Sequence, residues 1–183
     1  MKIWQLLFDV DNYDNFILDE KISVDELQSY DGRKLLPKRN NFFVKRMEPE
    51  KGQELGDAPG FIMPVFSEHA LRILYPLIDN SVEIINLESE EKGYYAINVL
   101  SVIDVIDYAK SRFKTFSDGK RIMAFQRYAF KDNDLLKKYN IFKIIDEPRR
   151  YAFVSDLFKQ VVEENDLKGF VFKMVWDSMK TDR

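Results

Sequence analysis

The chain has 183 residues, 45% apolar and 32% charged, a balance that excludes a disordered polymer and suffices for one sizeable core. It contains no cysteine, which excludes disulfides, thiolate nucleophiles, iron–sulfur clusters and cysteine-built zinc sites together. Acidic side chains number 31 against 28 basic ones, for a net charge of −3, too even a field to announce a nucleic-acid binder.

At the amino end Trp4, Leu6, Phe8 and Val10 alternate, predicting a strand over 3–10 with one buried side. Gln5 interrupts the opening apolar run, and Asp9 and Asp11 stand where a cleavage site needs small residues. No signal peptide is expected. No apolar stretch approaches the roughly 20 residues of a bilayer span, so the expectation is a soluble, cytoplasmic protein without a membrane partner.

Residues 11–60 are poorly patterned. Asp31-Gly32, Pro37, Pro49, Gly52, Gly56 and Pro59-Gly60 supply turn chemistry around a short Phe42-Phe43-Val44 run, predicting long loops. From Phe61 the order sharpens. An apolar run to Phe66 enters Ser67, a capping residue, and Ala70, Ile73, Leu74 and Leu77 recur at helical spacing. Pro76 predicts a distorted last turn. A turn at Asp79-Asn80-Ser81 leads into a strand over 83–87, and Glu90-Glu91-Lys92-Gly93 makes a hairpin turn into a long β-rich run from Tyr94 to Ile106. Residues 107–121 form a polar, basic connection. Further strands are predicted over 122–130 and 141–145, with a helical turn near Leu135-Leu136.

The grammar of residues 61–87 recurs at the carboxyl end. Tyr151-Ala152-Phe153-Val154 enters Ser155-Asp156, then Leu157, Phe158, Val161 and Val162 form a stripe, and Gly169 precedes a strand over 170–176. Counted from each serine, Ala70, Ile73 and Leu74 take the offsets of Phe158, Val161 and Val162. The class is therefore α+β, a single domain over 1–183 with a mixed or antiparallel sheet and two main helices in two similar strand–helix–strand units. Within it, 1–60 holds a strand plus long loops, 61–176 the α+β core, and 177–183 a tail.

Chemistry is sought and mostly absent. The lone histidine, His69, sits in the first turn of a helix, with no Gly-x-Ser-x-Gly elbow to supply a serine. Gly119-Lys120 lacks the earlier glycine of a phosphate loop, Lys114 standing in its place. Asp9, Asp11 and Asp14 lack the spacing, central glycine and distal glutamate of a calcium loop. Nothing raises Glu88, Glu90 or Glu91 above an exposed hairpin. Catalytic, cofactor and metal residues are accordingly expected to be none. Arg33, Lys34, Lys38, Arg39, Lys45 and Arg46 interleave with Phe42 and Phe43, a mixture that suits single-stranded nucleic acid, yet the acidic chain as a whole argues against that partner.

Pro64-x-Phe66-Ser67, Tyr94-Tyr95-x-Ile97-Asn98-Val99 continuing to Asp104 and Asp107, the Ile141-Phe142 strand, and Val154-Ser155-Asp156 followed by Gly169 are each short. In that order, over roughly two-thirds of the chain, they resemble the polymorphic-toxin immunity protein family numbered eleven, a bacterial family first catalogued as a domain of unknown function. The resemblance implies a non-enzymatic protein that binds a cognate toxin domain and neutralises it by occlusion. It carries neither the toxin's identity nor its contact residues.

Were the toxin basic, exposed acidic residues would steer it and aromatics would anchor it, which makes Asp11, Tyr13, Asp14, Glu88, Glu90 and Glu91 the candidate contacts. The alternative is a small ligand-binding domain or enzyme with a pocket of distant polar residues, for which Asn98, Asp107 and Arg127 are the candidates.

Overall fold

The computed structural model describes residues 1–23, 25–26 and 29–179. In chain order its strands are β1 (Lys2–Phe8), β2 (Phe16–Leu18), β3 (Asn41–Arg46), β4 (Val65–Ser67), β5 (Val82–Glu88), β6 (Tyr94–Val99), β7 (Val102–Ile103), β8 (Arg112–Thr115), β9 (Ile122–Arg127), β10 (Ile141–Ile144), β11 (Phe153–Ser155) and β12 (Phe170–Asp177). Its helices are α1 (Glu68–Ile78), α2 (Asp134–Lys137) and α3 (Asp156–Glu164). No described helix is long and apolar enough to cross a membrane.

The class is α+β, with two mixed five-stranded sheets in the orders β12-β1-β11-β10-β7 and β2-β3-β5-β6-β4, and a separate β8-β9 hairpin. Each sheet holds one parallel pair, β10 with β7 and β3 with β5. The long β run from Tyr94 divides between the two. β6 ends at Val99 in one sheet, and β7 begins at Val102 in the other. Two strands, β2 and β3, also lie within the stretch expected to be loops. Phe42 and Val44 are buried on one side of β3 while Phe43 and Lys45 face outward, an alternation too short to register as a strand in the sequence alone.

The two strand–helix–strand units are related in three dimensions. In one, β6 lies between β4 and β5, with Ser67 opposite Tyr94 and Phe66 opposite Tyr95. In the other, β1 lies between β11 and β12, with Ser155 opposite Ile3 and Val154 opposite Trp4. The central strand follows its unit in the first case and opens the chain in the second, so the kinship of β1 with β6 is invisible to a search for repeated order.

The serine caps form as expected. Ser67 Oγ accepts from the Ala70 amide at 3.0 Å and Ser155 Oγ from the Phe158 amide at 3.2 Å. Each hydroxyl also donates, Ser67 to Asp57 at 2.5 Å and Ser155 to Asn140 at 2.7 Å. Helix α1 runs through Pro76, whose ring removes the amide that would have bonded the Arg72 carbonyl, and a 3-10 turn at Asp79–Ser81 follows the helix. The buried stripes Ala70, Leu74 and Ile78 of α1 and Phe158 and Val162 of α3 share one core with Leu6, Ile97 and Val154.

Gly169 joins the units. Its φ of +84° is left-handed, and a Cβ there would stand 3.1 Å from the Ala58 carbonyl oxygen, so only glycine permits this approach. Replacing Ser67 or Ser155 with alanine is expected to cost about 1 kcal/mol each in urea denaturation. The Ser67 change should cost more, because the acceptor it also deprives is the Asp57 carboxylate, whereas Ser155 donates to the neutral side-chain amide of Asn140.

Candidate functional site

The corner where β3 leaves its sheet collects several of the candidate contacts around Arg46. Asp14 is buried, with 2% exposure, and its carboxylate accepts from the Arg46 Nε at 2.8 Å, the Asn15 amide at 2.7 Å and the Glu48 amide at 3.0 Å. Burial pushes this carboxyl up, but Arg46 and the two amides outweigh it and hold the pKa below the ordinary value. The guanidinium also donates to the Gln53 carbonyl and reaches Glu91 at 3.5 Å. Gln53 in turn donates to the Asp11 carbonyl at 2.9 Å. Asp14 and Glu91, which are remote in sequence, therefore converge on one cation, and Asp11 is tied to the same corner only through its backbone carbonyl.

Their roles differ with their exposure. Asp14 faces inward as the internal anchor of the corner, and Tyr13 is half-buried beside Gly56. Asp11, Glu88 and Glu90 are exposed. Together with Asp19, Phe43, Lys45, Arg46 and Glu91, the last two glutamates line an open depression of about 420 Å³. Asp9 is held by the Asn12 amide at 2.9 Å, so the Asp9, Asp11 and Asp14 side chains diverge: one turns to Asn12, one to solvent and one to Arg46.

The candidate polar pocket does not come together as a trio. Asn98 is buried opposite Glu83, donating to it at 3.1 Å and to the Arg33 carbonyl at 2.9 Å. Glu83 accepts the Leu35 and Leu36 amides at 2.7 and 3.1 Å, so this pair fastens the 33–36 segment. Asp107 and Arg127 are neighbours through Lys110, whose ammonium pairs with Asp107 at 3.3 Å and whose carbonyl accepts from Arg127 at 2.7 Å. Arg127 lines a cleft of about 400 Å³ with Lys173, Tyr128, Tyr151 and the buried Gln5, in which neither Asn98 nor Asp107 takes part.

Sequence reasoning missed Lys143, whose charge sits on a short strand otherwise made of apolar residues. It is 4% exposed and donates to the Tyr30 carbonyl at 3.2 Å, tying the same loop to the other sheet. Burial lowers its pKa to about 8 against a partial rescue by Asp31. The unfolded chain keeps this proton up to about 10.5, so the unfolded state binds more protons between about 8 and 10.5, and this group's contribution to stability rises with pH there. Unfolding free energies of wild type and Lys143→Met at about pH 7.5 and about pH 9.5 should show wild type gaining on the variant, by on the order of 2 kcal/mol between those two pH values.

The basic segment 33–46 is largely neutralised from within. Arg33 pairs with Asp31 at 2.7 Å, Lys45 with Asp19 at 2.6 Å, and Arg39 with Glu20 at 2.8 Å and with Glu26. Phe42 is fully buried, with Arg39 over its ring. Only Phe43 of the two rings faces outward, which leaves a poor platform for stacking bases.

Among the curated proteins, none matches this chain. The family described as "Immunity protein family (Imm11)" matches residues 81–177, just over half of the chain. That span runs from β5 to the end of β12, taking in the Glu88–Glu91 turn and leaving Asp11 and Asp14 outside. A match over this share of the sequence places the protein: the chain belongs to the Imm11 immunity protein family.

Proposed function

We propose that the protein binds a cognate toxin domain in the cytoplasm and neutralises it by covering the toxin's working surface, with no substrate turned over. Membership of the immunity family carries this reading. The exposed carboxylates support it. Asp11, Glu88 and Glu90 face solvent around one corner of the fold, joined by Glu91 at Arg46, where they would steer a cationic partner into place. Tyr13 beside them is the aromatic candidate, while Asp14 acts from beneath by ordering the corner.

The test is co-expression with the toxin domain encoded in the adjacent gene. Growth should be restored and a stoichiometric complex recovered; growth arrest at equal expression would overturn the reading for that pair. Neutralising Asp11, Glu88, Glu90 and Glu91 to their amides should slow association by about 10-fold at low salt and flatten its salt dependence.

A further inference from the structure

β2 is the outermost strand of its sheet and only three residues long. Its own Ile17, 36% exposed, and three neighbours form a set of apolar side chains left in water: Val10 at 57% exposure, Met47 at 52% and Ile62 at 42%. They line one groove of about 650 Å³, floored by Phe16 and Phe61, in which Glu48 is the sole charged lining residue. Isolated exposed apolar residues need no explanation, but a contiguous set in a concavity marks a contact surface.

The surroundings of the groove state the partner's charge. Asp9 and Asp11 flank Val10, and Asp19 follows Leu18. Across the Arg46–Glu48 corner lies the acidic depression with Glu88 and Glu90. Of the cations nearby, Lys45 is committed to Asp19 and Arg46 to Asp14, which leaves Lys92 of the same turn against three carboxylates. Asp11, Glu88 and Glu90 have no ion-pair partner among the described residues, so the frame is left with uncompensated negative charge.

We propose that this groove is the seat of the toxin on the immunity protein: a cationic face of the toxin closes over the acidic frame and inserts an apolar side chain between Val10, Ile17, Met47 and Ile62. The proposal rests on the immunity reading and adds the surface and the partner's chemistry. A dry apolar centre inside a charged rim is how interfaces concentrate their energy, since the rim excludes water and the centre anchors. Two other occupants fit less well. A symmetric pair of copies would set two acidic frames against each other. The chain's own cationic apolar element is the β8-β9 hairpin, with six cations and one carboxylate between Lys110 and Arg127 and with Phe116 and Met123 exposed. It could meet the groove only head to tail, a contact that need not close and so propagates filaments.

The experiment uses the full chain and the toxin domain encoded beside it, inactivated by mutation. Met47→Arg with Ile62→Arg places cations in the groove, and Lys114→Glu with Lys120→Glu changes the hairpin as a control surface. Both sets are exposed, and thermal melts check that folding survives. The groove variant should bind about 100-fold more weakly, chiefly through faster dissociation, and the hairpin variant within about 3-fold of wild type. Hydrogen exchange on wild type provides a second readout, with amides 16–18 and 60–62 slowed when toxin is added. Unchanged affinity with both arginines in place, loss confined to the hairpin variant, or unslowed exchange at those amides would overturn the groove while the immunity reading stands. No binding by wild type would instead fell the immunity reading for that pair, and the groove's role with it. Concentration-dependent self-association of the free chain that the arginines abolish would assign the groove to a second copy.

Discussion

Replacing Asp14 with alanine is expected to destabilise the protein by about 3 kcal/mol, because the change strands a charged partner along with two amides. Arg46 would keep only the Gln53 carbonyl and the 3.5 Å contact with Glu91, and the amides of Asn15 and Glu48 would lose their acceptor. Asp14→Asn preserves the shape and part of the bonding, so it should cost less than half as much. The sign with pH follows from the depressed carboxyl. Its contribution is present above the unfolded value of 3.8 and is lost as pH falls through the lower folded value. The gap between wild type and Asp14→Ala in denaturant midpoints should therefore close in acid. The same variant should weaken toxin binding more than its place beneath the surface suggests, because Asp14 positions the corner that carries Asp11 and Met47.

Phe158→Ala is expected to cost about 3–5 kcal/mol, the range for truncating a fully buried aromatic ring. Phe158 has 0% exposure and sits 6.3 Å from the rings of Phe66 and Phe170 and 6.4 Å from that of Phe172. Phe66 belongs to the first strand–helix–strand unit and Phe172 to the second, so the cavity would open between them. If the chain is one cooperative domain, amide protection in β5 and in β12 should fall together, and a single denaturation transition should move to lower denaturant. Loss of protection in β12 alone, with β5 untouched, would show that the units unfold separately.

What was legible in the sequence follows from period and punctuation. Ser67 and Ser155 announced their helices because a cap and a stripe are local, and Ala70 and Phe158 could be matched by counting from them. β1 announced itself as a strand, but not with one buried side: Ile3 and Gln5 are buried as well as Leu6 because the strand packs on both faces, and Val10 falls beyond its end in water. The division of the Tyr94–Ile106 run between two sheets was not legible, since a β-rich stretch reads the same whichever sheet receives it. Nor was β2, whose three residues are too few to show a period. For the site, the resemblance to an immunity family and the supposition of a basic toxin led to carboxylates, and local sequence offered Asp11, Asp14, Glu88, Glu90 and Glu91 with Tyr13. It had no means of telling that Arg46 would draw Asp14 inward.

The sequence by itself determined the α+β class, the absence of cysteine chemistry, the two serine-capped units and the likeness to an immunity family. Each depends on residue types and on spacings within a few turns of chain. Only the tertiary structure decided that β1 serves one unit as β6 serves the other, that Asn98 fastens a loop away from Asp107 and Arg127, and that Val10, Ile17, Met47 and Ile62 share one groove. Those facts depend on long-range pairing, where a residue's meaning is set by neighbours that the chain brings from far away. Burial is what separates Asp14 from Asp11, two aspartates three positions apart, one an internal anchor and the other exposed to solvent.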